Sequence, residues 1–149
     1  SLARCRDLLG ERWNRLDFIE EGSGPDGESG SVRARPELMG DAILARKDVG
    51  VSYHLACVHD DALQGITHVI RGQDLFASTH LHRLLQELLG LPTPRYRHHR
   101  LIVDASGARL SKRDGAVTLR SLRERGHSPQ SVLQRLLAAD DSKSGSRVV

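Results

Sequence analysis

Residues 66–107, ITHVIRGQDLFASTHLHRLLQELLGLPTPRYRHHRLIVDASG, constrain the fold most, because the apolar period changes twice within them. ITHVIRG is β-branched and stops at Gly72, the pattern of a strand. In STHLHRLLQELLG, Leu81, Leu84, Leu85, Leu88 and Leu89 recur at helical spacing. Ser78 or Thr79 stands where an N-cap is expected, and Gly90 where the helix should end. LPTP then breaks the chain, and RHHRLIVDASG reads as a second strand running into a turn at Ser106-Gly107. Strand, helix and strand in that order predict an α/β fold with parallel strands and flanking helices, and a ligand beyond the strands' C-terminal ends. Arg71, which closes the first strand, and the loop after RLIVD should therefore face one crevice.

The flanking segments are read by the same rules. LARCRDLLGERW predicts a short amphipathic helix, with Leu2, Cys5 and Leu9 on one face. EEGSGPDGESGS, residues 20–31, has no apolar residue and predicts a flexible acidic loop. SVRAR and DAILAR predict two strands joined as a hairpin across PELMG. SYHLACVHDDALQG fits a short helix as well as a strand. LRSLRERG and PQSVLQRLLAA predict two further helices, the second opened by Ser128-Pro129. The organisation expected is a helix and acidic loop over 1–30, a catalytic-type portion over 31–139, and a disordered tail over 140–149.

Composition narrows the function classes. Aromatic residues are 3% of the 149, so the core should be aliphatic. No apolar run approaches the roughly 18 residues of a membrane span, and the charged N-terminal segment lacks a signal-peptide core. Two cysteines, Cys5 and Cys57, make no disulfide framework, which points to a reducing cytoplasm. Residues 91–149 hold 12 basic and 5 acidic side chains, an excess that suits an anionic partner such as a nucleic acid or a nucleotide phosphate, or simply a solvated face.

Three stretches carry a family resemblance. RGQD at 71–74 resembles the RGxD element of the glutamyl-tRNA synthetase family of class I aminoacyl-tRNA synthetases, and RLSKR at 109–113 resembles its KMSKS loop. GDAILARKDVGVSYHLACVHDDALQG is similar to the family segment that leads through a Tyr to a VDD turn. The likeness runs in register over residues 31–138, and is strongest to the branch without an anticodon-binding domain. It implies the C-terminal portion of a Rossmann-like catalytic domain that activates glutamate with ATP and Mg²⁺ and transfers it to tRNA. The chain has no initiating Met, and the family's HIGH half is not among its residues, so a fragment inactive in isolation is expected. Only 36 residues follow Arg113, too few for an anticodon domain; the complete protein is expected to be a monomer.

The resemblance also implies roles. Lys112 would be catalytic, following the charge that builds on the ATP phosphates, with Ser111 and Arg109 helping to bind ATP. Tyr53 and Arg71 would bind glutamate, a guanidinium being suited to grip a carboxylate bidentately. On residue type alone, a half-buried core residue is the better reading of Tyr53, and an ion-pair partner of Asp74 or Asp61 is an equal reading of Arg71. His80 and His82, two apart, cannot share a helix face, and His98 and His99 point to opposite sides of a strand, so neither pair predicts a metal site. Cys5 resembles the last ligand of a zinc cluster found in some members, but one cysteine cannot hold zinc, so none is expected here. Asp60 and Asp61 are adjacent and should not converge. The alternatives are an ordinary glutamyl-tRNA synthetase and a non-catalytic RNA-binding module.

Overall fold

The computed structural model describes residues 1–48, 50–102 and 118–144. Two compact units are present, residues 1–101 and 102–149.

The first unit is built on a four-stranded mixed sheet. Its strands are β1 (Asp17–Glu20), β2 (Gly30–Arg33), β5 (His68–Gly72) and β6 (Arg95–His99), in the order β2-β1-β6-β5. The pairs β1–β6 and β6–β5 are parallel, as the strand–helix–strand pattern predicts, whereas β2 is antiparallel to β1. Between β5 and β6 the chain forms a 3₁₀ turn (Gln73–Leu75) and then the helix α3, Phe76–Leu89. Gly90, with φ of 65°, ends that helix in a left-handed conformation. The helix starts before the expected capping residues: Ser78 and Thr79 are both buried inside it, and Leu75 occupies the cap without a side-chain bond. Their hydroxyl groups are thereby withdrawn from capping and placed in the interior.

Two expected features are corrected. SVRAR and DAILAR do not pair. β2 bonds to β1, PELMG contains a 3₁₀ turn (Pro36–Leu38), and only Ala45–Arg46 of DAILAR is strand, β3, paired with β4 at Gly50–Val51. The segment before the acidic loop explains this: Phe18 and Glu20 alternate inward in β1 and offer β2 a partner closer to the core. Glu20, expected in a flexible loop, is thus the last residue of a strand and is 1% exposed. The ambiguous SYHLACVHDDALQG is helix α2, Tyr53–Leu63, capped by the Ser52 hydroxyl accepting from the Leu55 N–H.

The core lies between the sheet and the helices α2 and α3, with α1 (Leu2–Leu9) and the 3₁₀ helix that follows it contributing Leu9 and Trp13 at its margin. It is less aliphatic than expected. Phe18 packs edge-on against Phe76, Tyr96 and His80, with ring centroids 5.9, 5.6 and 5.5 Å apart. Three of the chain's few aromatic residues are therefore concentrated at one point, while Ile43 and Ile70 remain 68% exposed.

The second unit contributes α4 (Leu119–Glu124) and α5 (Pro129–Ser144). Thr118 and Ser121 close a reciprocal capping box on α4, and the Ser128 hydroxyl accepts from the Ser131 N–H as α5 begins. Residues 140–144, expected to be a disordered tail, continue α5, since no Gly or Pro interrupts the sequence between Pro129 and Gly145. No helix among the described residues is long and apolar enough to cross a membrane.

Candidate functional site

The parallel register of β5 and β6 creates the site. Arg71 pairs with His98, so their side chains leave the sheet on the same face, next to each other. Strand β6 alternates, burying Tyr96 and His98 and exposing His99, as the adjacent histidines require. Above them, α3 presents Thr79 and His82, three residues apart and on one side of the helix. His80 points elsewhere: its Nδ1 accepts from the Arg35 backbone N–H at 3.2 Å. The two helix histidines diverge, as their spacing demands.

Arg71 sits at the centre. Its Nη2 donates to the Thr79 hydroxyl at 2.7 Å, its Nε to His98 Nε2 at 3.2 Å, and its Nη1 to His82 Nδ1 at 3.4 Å. The guanidinium also lies 5.3 Å from the Tyr96 ring centre, a cation–π distance. Among the described residues no carboxylate forms an ion pair with it; the expected pairing with Asp61 is not made, and Asp61 instead accepts from the Cys57 thiol at 3.6 Å. Asp60 lies beside His59, so the two adjacent carboxylates do diverge.

An arginine only donates, and this orders the tautomers around it. His82 must accept at Nδ1, which leaves its Nε2 proton for His54 Nδ1, 3.1 Å away. His98 must accept at Nε2, and its Nδ1 proton goes to Glu20 Oε2 at 2.6 Å. Burial, and then the Arg71 charge, pushes His82 down to about 3, while His54 is lowered by the same two causes in that order. His98 is lowered too, burial outweighing the pull of Glu20. Both ring nitrogens of His82 and of His98 are thus committed to protein partners, and neither residue has a lone pair left for a metal.

Tyr53, the first residue of α2, stands at the rim and is 54% exposed. Its ring lies 5.5 Å from that of His54 and 6.0 Å from that of His82. Burial of its inner side pushes the Tyr53 hydroxyl up, Cys57 adds to this, and Arg71 opposes it. The structure therefore brings together Tyr53, at the start of α2, and Arg71, near the end of β5. Lys112, Ser111 and Arg109 lie outside the described residues. Glu20, Thr79, His82 and His98 were not foreseen as site residues; the inward phase of β6 and the helical spacing of 79 and 82 are the signals that point to three of them.

The arrangement offers a buried cation with an exposed phenol above it, suited to one end of a small acid. Residues 19–144 match the model of the family described as tRNA synthetases class I (E and Q), catalytic domain. The chain belongs to that family. Among this synthetase family's members, it is 52% identical over 116 residues to glutamyl-Q tRNA(Asp) synthetase of Rhodobacter capsulatus, covering 75% of this chain and 41% of the relative. It is 39% identical over 107 residues to glutamate–tRNA ligase of Aquifex aeolicus, covering 72% of this chain and 23% of that one. The crystal structure of glutamate-tRNA synthetase from Elizabethkingia anophelis superimposes with a TM-score of 0.54 and 34% identity, over 66% of this chain and 19% of that one. The chain thus spans less than half the length of each synthetase it matches here.

Proposed function

We propose that the complete protein activates glutamate with ATP and Mg²⁺ and transfers it to the queuosine of tRNA(Asp), as a glutamyl-Q tRNA(Asp) synthetase. In this reading Arg71 and Tyr53 bind glutamate, and Lys112, assisted by Ser111 and Arg109, acts on the ATP phosphates during adenylate formation. The observation that carries the reading is the state of Arg71: a buried guanidinium bonded to neutral groups, beside a half-exposed tyrosine. A substrate carboxylate would complete its charge balance and form charge-assisted bonds stronger than those to neutral acceptors. The branch of the family is supported by identities of 46–52% to glutamyl-Q tRNA(Asp) synthetases, against 39–44% to glutamate–tRNA ligases.

The test is Arg71→Ala in the complete protein. KM for glutamate should rise about tenfold or more while KM for ATP stays within about twofold, because only the amino acid loses its charged partner. Equal effects on both substrates would make Arg71 a structural residue. Charging of tRNA(Asp) that carries queuosine, with no charging of tRNA(Glu), supports the assigned acceptor; the reverse outcome makes the protein an ordinary glutamyl-tRNA synthetase.

A further inference from the structure

Among the described residues, the side chains bonded to Arg71 hold it in place without neutralising it. A carboxylate in direct contact would take up one edge of the guanidinium as a bidentate pair and compete with any anionic ligand. Neutral acceptors fix the same geometry and leave the charge available. An imidazole is a neutral acceptor, however, only in the tautomer that presents a bare nitrogen.

That tautomer is imposed on His98 from behind. Glu20 Oε2 lies 2.6 Å from His98 Nδ1, and an ionised carboxylate can only accept, so the ring proton stays on Nδ1. Glu20 cannot turn away, because its Oε1 accepts the backbone N–H groups of Gly22 and His98, both at 2.8 Å. Glu20 comes from β1, His98 from β6 and Arg71 from β5, three adjacent strands on one face of the sheet. We propose that Glu20 and His98 are positioning residues for Arg71: the carboxylate locks His98 as the Nδ1–H tautomer, and the bare Nε2 aims the guanidinium at a substrate carboxylate. This rests on the reading of Arg71 as the glutamate-binding residue.

The experiment compares Glu20→Gln, His98→Gln, His98→Leu and Arg71→Lys in the complete protein. Imidazole ¹⁵N shifts report the His98 tautomer, and calorimetry gives the affinities for glutamate and for ATP. In Glu20→Gln the amide oxygen must still serve two backbone N–H groups, so its NH₂ faces Nδ1 and drives the ring proton to Nε2. Donor then meets donor at Arg71, and glutamate should bind about tenfold more weakly or worse, with ATP changed by less than about twofold. His98→Gln places an amide oxygen near the former Nε2 and should recover most of the glutamate affinity, whereas His98→Leu should not. Equal losses for His98→Gln and His98→Leu, or a parent protein already in the Nε2–H tautomer, would overturn the proposal. If Arg71→Lys binds glutamate unchanged, the reading of Arg71 as substrate ligand fails, and the tautomer switch in Glu20→Gln still decides whether Glu20 governs His98. Should Glu20→Gln not fold, the two His98 variants decide alone.

Discussion

Glu20 and Arg71, opposite charges in the interior of one sheet, meet through a single imidazole, that of His98, with 2.6 Å on the carboxylate side and 3.2 Å on the guanidinium side. Removing either partner of a buried pair strands the other charge, so such pairs are sensitive to truncation even where they add little net stability. Here the intervening ring holds the charges apart, and the neutral state of His98 is a condition of the arrangement.

Stability should therefore fall on mild acidification. His82 is pushed down to about 3 in the native protein, by burial first and then by Arg71 and His54, from an ordinary value of 6.5. The native state keeps this ring neutral while the unfolded chain takes up a proton below about pH 6.5, so the contribution is complete above that pH. It drains away as pH falls from about 6.5 toward about 3, at about 1.4 kcal/mol per pH unit for one proton. His54, His80 and His98 are lowered in the same direction. Urea unfolding at pH 7.5, 6 and 5 should show a steady loss, shallower in His82→Gln; an identical slope in that variant would contradict the neutral ring.

Gly22→Ala should destabilise the protein by about 1–3 kcal/mol, the usual cost of forcing extra volume into packed surroundings. A Cβ on Gly22 would collide with the His98 carbonyl oxygen and lie 3.0 Å from Glu20 Oε1. The first of these is backbone within a strand and cannot step aside. Because the Gly22 N–H also donates to Glu20, the substitution should shift the His98 ring resonances, which a loop glycine remote from the relay would leave alone. Thermal unfolding and ¹⁵N spectra of the variant check both statements.

The elements legible in the sequence are those whose burial comes from apolar side chains. The α3 stripe is an example: Leu81, Leu84 and Leu85 are buried, although Leu89 is 49% exposed. Strand β1 was illegible because its inward residues are Phe18 and Glu20, and a glutamate next to an acidic Gly-rich segment reads as surface. The same reason hid the relay. Histidine spacing along one segment excludes a shared face, but the partners of His82 and His98 come from β1, β5 and α2, and their convergence depends on sheet register. The strand–helix–strand order placed Arg71 at the expected crevice, whereas Tyr53 was singled out through the family resemblance; residue type alone gave each an ordinary structural alternative.

Tyr96→Phe should cost about 1–3 kcal/mol, because it strands a buried donor. The Tyr96 hydroxyl accepts from Gln86 Nε2 at 2.9 Å and is pushed up to about 12, chiefly by burial. Gln86 Oε1 already lacks a partner among the described residues, so the amide has little to fall back on. Replacing Gln86 by Leu in the Tyr96→Phe background removes both orphaned groups and should recover most of the loss. A double-mutant cycle by urea denaturation measures the coupling; purely additive losses would mean that the two side chains act separately.

Lys112 provides the test of the loop RLSKR. In the proposed reaction, a glutamate carboxylate would attack ATP and negative charge would accumulate on the departing pyrophosphate, so a lysine that follows it would stabilise the transition state more than the bound substrate. Lys112→Ala in the complete protein should accordingly lower kcat for adenylate formation by about 10²-fold or more, the scale of losing one charge-stabilising donor, with a much smaller change in KM for ATP. Arg109→Ala and Arg113→Ala remove charge from the same loop without touching the family's catalytic lysine position, so each should cost less. Pre-steady-state formation of glutamyl-adenylate by the three variants separates the cases. A deep loss confined to Lys112 fits a group acting on developing charge, and three similar small losses would reduce the loop to a basic surface turn.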